Sequence, residues 1–210
     1  MLKNITPPIA TALARKIIHA TQSNKAELFD GDDGAFRAAV AHAQAYGEYG
    51  CGASTRFVAA RTTARILAVD TARPWIDSVL DAVGERAGMA LHWVDVGPLG
   101  DWGRPVGYDH SDNFTDYTDW IWQQDEQPDC VLVDGRFRVC CFATSLRHAA
   151  AGSTIIFDDY ADRPHYHIVE KLLRPIKLCG RQAIFHVPKT SARNDAAIDR
   201  MIDQFRFVID

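Results

Sequence analysis

The chain has 210 residues, of which 47% are hydrophobic and 24% charged, as expected for one globular domain of ordinary size. Its net charge of −4 argues against a general nucleic-acid-binding surface, which would be basic, although a local basic groove stays open. No apolar stretch approaches the length needed to span a membrane, and the N-terminus lacks the long apolar core of a signal peptide.

The number and spacing of the cysteines predict the cellular compartment. There are five, an odd number without C-x-x-C spacing, which favours reduced thiols in a cytoplasmic protein. Cys51 lies in a glycine loop and is expected to be the most accessible of them. The sequence leaves the oligomeric state open, a homodimer included.

Residues 1–43 predict a helical segment ahead of the sheet. Thr6-Pro7-Pro8, a hydroxyl followed by prolines, is typical of a helix start, and apolar residues follow at four-residue spacing. Asp32 or Asp33 is expected to cap a second helix.

Strands and helices then alternate, which predicts one domain with a parallel sheet and helices on both of its faces. The core is expected over 44–190, and a capped amphipathic helix within 191–210 completes the chain. The predicted strands are 42–47, 65–70, 91–96, 130–134 and 154–158, with a closing hairpin of 176–179 and 183–187. The predicted helices include 54–63, a helix from Pro74 to Gly88, and one around Tyr166.

A glycine loop follows the first strand. Glu48 precedes Gly50 and Gly52, and Ser54 opens the next helix. The glycines allow a sharp turn and close approach of a ligand, the helix start suits an anion, and Glu48 could hold an ammonium or hydroxyl group. The third glycine of a dinucleotide loop is missing, because Thr55 stands in its place.

Asp70 follows Gly50 by 20 residues, at the end of the second strand. In doubly wound folds an acid at this distance accepts hydrogen bonds from ribose hydroxyls. The alternative is that the glycines form a plain loop and Asp70 caps a helix.

These motifs resemble those of the class I S-adenosylmethionine-dependent methyltransferases. The resemblance runs from residue 43 to 190 and includes the segments Glu48–Thr55, Ile66–Asp70, Val131–Gly135 and Ile155–Tyr160. It implies a three-layer α/β/α Rossmann-like fold with a mostly parallel seven-stranded sheet and a closing antiparallel hairpin. It also implies S-adenosylmethionine as cofactor, bound by Glu48 near the amino-acid end, Gly50, Gly52, Asp70 on the ribose and Asp95 near the adenine. Asp95 could equally hold the loop that follows it.

Three acids end the fourth and fifth strands: Asp134, Asp158 and Asp159. Neighbouring strand ends open on one crevice, so these carboxylates could bind Mg²⁺. The placement is similar to the metal site of catechol O-methyltransferases, except that this chain has Asp-Asp where they have Asp-Asn. Without metal, Asp134 or Asp159 could act as the catalytic base or anchor the substrate. Alternatively, the acids cap a helix and hold a turn.

The segment from Gly97 to Asp116 is rich in glycine and proline and predicts a lid or substrate loop. Trp102 in this loop, together with Arg136 and Arg163 beside the acids, forms the predicted substrate-binding set, and the arginines suit an anionic substrate. Salt bridges to the neighbouring aspartates are an equally good explanation of the arginines.

The leading hypothesis is therefore a methyltransferase that acts on a small molecule, at oxygen. A nicotinamide-dependent oxidoreductase is a second hypothesis, and Thr55 argues against it. A methyltransferase-fold protein that binds without catalysis is the third.

Overall fold

The computed structural model describes residues 28, 29 and 31–210. The predicted helix at Thr6-Pro7-Pro8 lies outside this range. The strands are β1 (Ala45–Tyr49), β2 (Arg65–Asp70), β3 (Met89–Trp93), β4 (Cys130–Val133), β5 (Thr154–Phe157), β6 (Lys177–Cys179) and β7 (Gln182–His186). The α-helices are α1 (Gly34–Val40), α2 (Ala53–Arg61), α3 (Arg73–Val83), α4 (Phe114–Asp119), α5 (Arg138–His148) and α6 (Asp195–Phe205).

The strands form one sheet in the order β3-β2-β1-β4-β5-β7-β6. The first five strands are parallel, and β7 pairs antiparallel with both β5 and β6. This arrangement confirms the predicted fold class. The strand order changes direction between β1 and β4, and ligands bind outside the carboxyl ends of the strands at such a point.

Alternate residues of each strand build two separate cores, one on each face of the sheet. Ile66 and Ala68 of β2 face a core that includes residues of α1, α2 and α3. Leu67 and Val69 face the opposite core, which includes residues of α4, α5 and α6. The period of two along a doubly covered strand gives the three-layer architecture.

β1 is more polar than a central strand usually is, yet all five of its residues are buried. A side chain at Gly47 would lie 2.6 Å from a ring carbon of Pro128, so glycine lets the chain pack closely there. The Tyr49 hydroxyl donates to the carbonyl of Thr118 at 2.7 Å and accepts from the Trp122 indole at 2.9 Å. These partners satisfy the Tyr49 hydroxyl within the core.

Several predicted boundaries differ from the structure. α3 ends at Val83, before Gly84, whose φ of 69° is left-handed, rather than at Gly88. β3 is Met89–Trp93 rather than 91–96. The helix predicted around Tyr166 is a 3-10 helix, Pro164–Lys171. At α1, the Asp32 carboxylate accepts from the Gly34 N–H at 2.8 Å, whereas Asp33 pairs with Arg37.

The loop predicted from Gly97 to Asp116 is not structureless. It contains short 3-10 turns at Asp101–Gly103 and Ser111–Asn113 and passes into α4. The C-terminal residues hold it: the Tyr108 hydroxyl donates to the Phe207 carbonyl at 3.2 Å. Among the described helices, none has the length and apolar composition to cross a membrane.

Candidate active site

A cavity of about 490 Å³ opens at the carboxyl ends of the parallel strands. The glycine loop after β1 forms one wall, and the segments after β2, β4 and β5 form the others. Leu28 and Phe29 also line it. Its position at the β1/β4 reversal and its volume are those of a small-molecule site.

The loops after β1 and β4 approach each other too closely for side chains. Gly50 has a φ of 96°, and its N–H donates to the Val69 carbonyl at 2.8 Å. A Cβ on Gly135 would lie 2.0 Å from the Tyr117 hydroxyl and 2.9 Å from the Gly50 nitrogen. Glycine at both positions therefore keeps this end of the cavity open.

Thr55 stands where a dinucleotide loop has its third glycine, and its side chain holds the loop. Its hydroxyl accepts from the Gly52 N–H at 2.9 Å and donates to the Glu48 carboxylate at 2.7 Å. The Ser54 hydroxyl donates to the other Glu48 oxygen. Glu48 is fully buried, does not line the cavity, and has its pKa raised to about 7 by burial.

Asp70 lines the cavity and fastens the glycine loop to β2. Its carboxylate accepts from the Cys51 and Ala72 N–H groups, each at 2.7 Å. Burial raises its pKa to about 6, although the two N–H groups favour the charged form. Asp70 thus faces the cavity and bonds the turn that leads into α3. Its contact with ribose hydroxyls stays a prediction.

Asp95 and Cys51 differ in their placement. Asp95 does not line the cavity: its carboxylate accepts from the Gly97 N–H at 3.1 Å and lies 3.0 Å from His110 Nδ1. It therefore holds the loop, which was the alternative interpretation of the sequence.

Cys51 lines the cavity but is 7% exposed, and burial raises its thiol pKa well above the usual value. Cys51 is the most exposed of the five cysteines, as expected, but all five are buried.

The three acids predicted as metal ligands do come together, with ligand atoms within 4.8 Å of one another. Arg138, 3% exposed, reaches into this cluster from the first turn of α5. Its guanidinium contacts the carboxylates of Asp134 at 3.0 Å and Asp159 at 3.1 Å.

Two more arginines and an amide complete the acid cluster. Asp158 is bound by Arg181 and, at 3.0 Å, by Gln182. Asp159 pairs with Arg163 at 2.8 Å and with Arg181 at 3.3 Å. Three guanidinium groups thus match three carboxylates, so the residues do not fit a divalent cation, and Mg²⁺ is not supported.

Asp134 differs from the other two acids. It lines the cavity, and only one of its oxygens, Oδ1, accepts from Arg138. No N–H or O–H group in the described part of the chain donates to Oδ2. Burial and then the Asp158 carboxylate raise the pKa of Asp134, and Arg138 opposes the shift only in part. A carboxylate of this kind can accept a proton from a ligand.

The comparisons with known proteins agree on one fold. A methyltransferase-like protein from Silicibacter pomeroyi DSS-3 is 32% identical, with a TM-score of 0.68 over 82% of this chain and 91% of that chain. The N-methyltransferase NodS from Bradyrhizobium japonicum WM9, solved with S-adenosylhomocysteine, is 13% identical with a TM-score of 0.52, over 85% of this chain and 98% of that one. An O-methyltransferase from Bacillus cereus, also with S-adenosylhomocysteine, is 12% identical with a TM-score of 0.52, over 90% and 94%.

The chain belongs to the class I S-adenosylmethionine-dependent methyltransferases. No family model matches the sequence, and no curated protein matches it. The identification therefore depends on the solved relative and on the fold.

Within this methyltransferase fold, the predicted substrate residues reach the cavity. Trp102, 54% exposed, Arg136 and Arg163 all line it. The Arg136 guanidinium donates to the main-chain oxygen of Asp210 at 2.6 Å. The lining residues that were not singled out as site residues from the sequence include Trp75, Tyr117 and Arg181. The sequence pattern places Trp75 and Tyr117 on predicted helices and Arg181 in the turn of the predicted hairpin, without a role in the site.

Backbone strain is concentrated around the cavity. The described residues other than glycine with positive φ are Trp102 at 60°, Phe137 at 53° and Asp159 at 57°. Trp102 and Asp159 line the cavity, and Phe137 lies between two lining arginines. Such conformations typically cost about 1–3 kcal/mol each and are found at ligand sites. Sequence reasoning offers no signal for them.

Proposed function

We propose that this chain methylates a hydroxyl oxygen of a small molecule, with Asp134 as the base. The observation that carries the proposal is Asp134 Oδ2, which belongs to a cavity-lining carboxyl with a raised pKa and has no donor in the described chain. S-adenosylmethionine supplies an electrophilic methyl group on a positively charged sulfur. The protein then has to align a nucleophile, exclude water and remove the proton of a hydroxyl acceptor.

Three features of the cavity support cofactor binding. Its volume of about 490 Å³ suits a small molecule of this size class. The Cys51 and Ala72 N–H groups orient the Asp70 carboxylate, whose remaining lone pairs can accept from ribose hydroxyls. Ala53 and Ser54 line the cavity in the first turn of α2, where N–H groups lack intrahelical acceptors and suit a carboxylate.

In this proposal Glu48 and Asp95 support the cofactor indirectly. Glu48 fixes the glycine loop through Ser54 and Thr55, and Asp95 fixes the loop that carries Trp102. Trp75 and Trp102 line the wall near Asp70 and offer flat faces to an adenine.

The acceptor side of the cavity carries Asp134, Arg136 and Arg163. The acceptor hydroxyl would give its proton to Asp134 while its oxygen forms the bond to the methyl carbon. The bond from that carbon to the sulfonium sulfur would break at the same time, and S-adenosylhomocysteine would leave as a neutral thioether. Asp159 is less suited to this role, because arginines already bind both of its oxygens. Arg136 and Arg163 support an acceptor that bears a carboxylate or phosphate.

The test is Asp134→Asn, assayed by release of S-adenosylhomocysteine over a panel of phenols and hydroxy acids. We expect kcat to fall by about 10²–10⁴-fold, the usual contribution of a general base, while the affinity for S-adenosylhomocysteine stays unchanged. Asp77→Asn, on the exposed face of α3, is the matched control. An unchanged kcat in Asp134→Asn would refute the assignment of the base. Cofactor binding without methylation of any acceptor would favour the binding protein, and methylation at nitrogen would refute the oxygen acceptor.

A further inference from the structure

The guanidinium of Arg138 has an acceptor for every one of its N–H groups. Nε donates to the Gly135 carbonyl at 3.0 Å. Nη1 donates to the Asp158 carbonyl at 2.8 Å and to the Asp159 carboxylate at 3.1 Å. Nη2 donates to the carbonyl and the carboxylate of Asp134, both at 3.0 Å. The five donors of an arginine are thus used within one shell of oxygen atoms.

Such an oxygen shell is what a hard divalent cation would otherwise require. Mg²⁺ and Ca²⁺ bind carboxylate and carbonyl oxygens, and the Arg138 shell consists of two carboxylates and three carbonyls. The guanidinium supplies positive charge at the centre of this shell and is 3% exposed. A metal ion could enter only if Arg138 left, and the arginine's five buried donors would then lose their acceptors.

The charges around the shell also balance without a metal. Arg138, Arg163 and Arg181 pair with Asp134, Asp158 and Asp159 in five ion pairs. With all three acids ionised the six side chains sum to zero, and protonation of Asp134 makes the sum +1. A divalent cation would leave an excess of positive charge in either state.

We propose that Arg138 takes the place of a metal ion and that this methyltransferase works without a divalent cation. Arg138 acts as a positioning residue, because it binds Oδ1 of Asp134, whose carboxyl group lines the cavity. The catalytic part of this inference rests on the proposed function. The structural part, that the acids are closed to metal ions, does not depend on it.

The probe for the structural part is Mn²⁺ alone, measured by calorimetry on the intact protein. Wild type is expected to bind no Mn²⁺ up to millimolar concentration. Arg138→Met is expected to gain a site with a dissociation constant of about 10⁻⁴–10⁻³ M, typical of weak oxygen-ligand sites. Adding Asp158→Asn to that variant is expected to remove the site. Arg136→Met is the matched control, since its guanidinium does not contact these acids.

Two results would overturn the proposal. One is Mn²⁺ binding by wild type that Asp158→Asn removes, and the other is a folded Arg138→Met that gains no site. Should Arg138→Met fail to fold, Arg138→Lys is used with wild type, and metal binding by either would refute the inference.

Activity is tested separately. Methylation by wild type should be unchanged by EDTA, and a loss restored by Mg²⁺ would contradict metal independence. If wild type fails to bind S-adenosylhomocysteine, the proposed function fails while the Mn²⁺ results still decide whether the acid cluster is closed.

Discussion

Glu48→Gln tests the role of the buried carboxyl beneath the glycine loop. Burial raises the Glu48 pKa from 4.5 to about 7, although Ser54 and Thr55 donate to the charged form. Glutamine keeps the size and an acceptor oxygen but cannot ionise, and the two hydroxyls can rotate to suit it.

The sign and size of the change in stability with pH follow from proton linkage. The folded state binds the Glu48 proton more tightly than the unfolded state, so the unfolded chain loses that proton first as the pH rises. The stabilisation is complete below about pH 4.5 and is lost as the pH passes about 7. The difference between the folded and unfolded pKa values corresponds to about 3 kcal/mol in the free energy of unfolding, at 1.36 kcal/mol per pKa unit.

The assay is urea unfolding of wild type and Glu48→Gln from pH 4.5 to 8. The free energy of unfolding of wild type should fall by about 3 kcal/mol more than that of the variant over this range. Asp70 titrates in both proteins, so the difference between the curves reports Glu48 together with its interaction with Asp70. Glu85→Gln, at an exposed position after α3, is the control and should parallel wild type. Parallel curves for Glu48→Gln would show that Glu48 is not a buried acid in the folded protein.

Three further predictions concern the same loops. Gly135→Ala should lower the free energy of unfolding in urea by about 1–3 kcal/mol and weaken S-adenosylhomocysteine binding, because the new Cβ would displace the Tyr117 hydroxyl. A wild-type result in both assays would contradict the close approach of the loops after β1 and β4. Thr55→Val should cost about 1–3 kcal/mol, because the Gly52 N–H and the Glu48 carboxylate lose a buried partner; unchanged thermal unfolding would argue against that network. All five thiols, Cys51 included, should resist Ellman's reagent in the native protein and react in guanidinium chloride; rapid labelling of the native protein would refute their burial.

The parts of the fold that local patterns determine were predictable from the sequence. The strand 65–70 matches the structure at both ends, because an apolar run is bounded by Thr63 and an acid. The cavity positions of Gly50, Gly52 and Asp70 follow from spacing along one strand–turn–helix unit. Such signals lie within a few residues of chain, and the alternating strands and helices predict the parallel sheet.

Interactions between distant segments were not predictable in the same way. The spacing of Asp134, Asp158 and Asp159 suggested a metal, but the side chain that lies among them depends on the turn at Phe137, whose φ of 53° the sequence does not indicate. Arg181 joins the same cluster from the β6–β7 hairpin, far along the chain. Pairing with aspartates was one of the two sequence explanations of the arginines beside these acids, and only the folded geometry separates it from substrate binding.

The central claim is that the cavity at the β1/β4 reversal binds the S-adenosyl cofactor through the glycine loop and Asp70. Calorimetric titration with S-adenosylhomocysteine tests it most directly, using wild type, Asp70→Asn and the exposed control Asp77→Asn. Saturable binding to wild type and Asp77→Asn, with affinity lost by at least about 10-fold in Asp70→Asn, is the predicted result. Absence of binding to wild type, or equal affinity in all three proteins, would contradict the account.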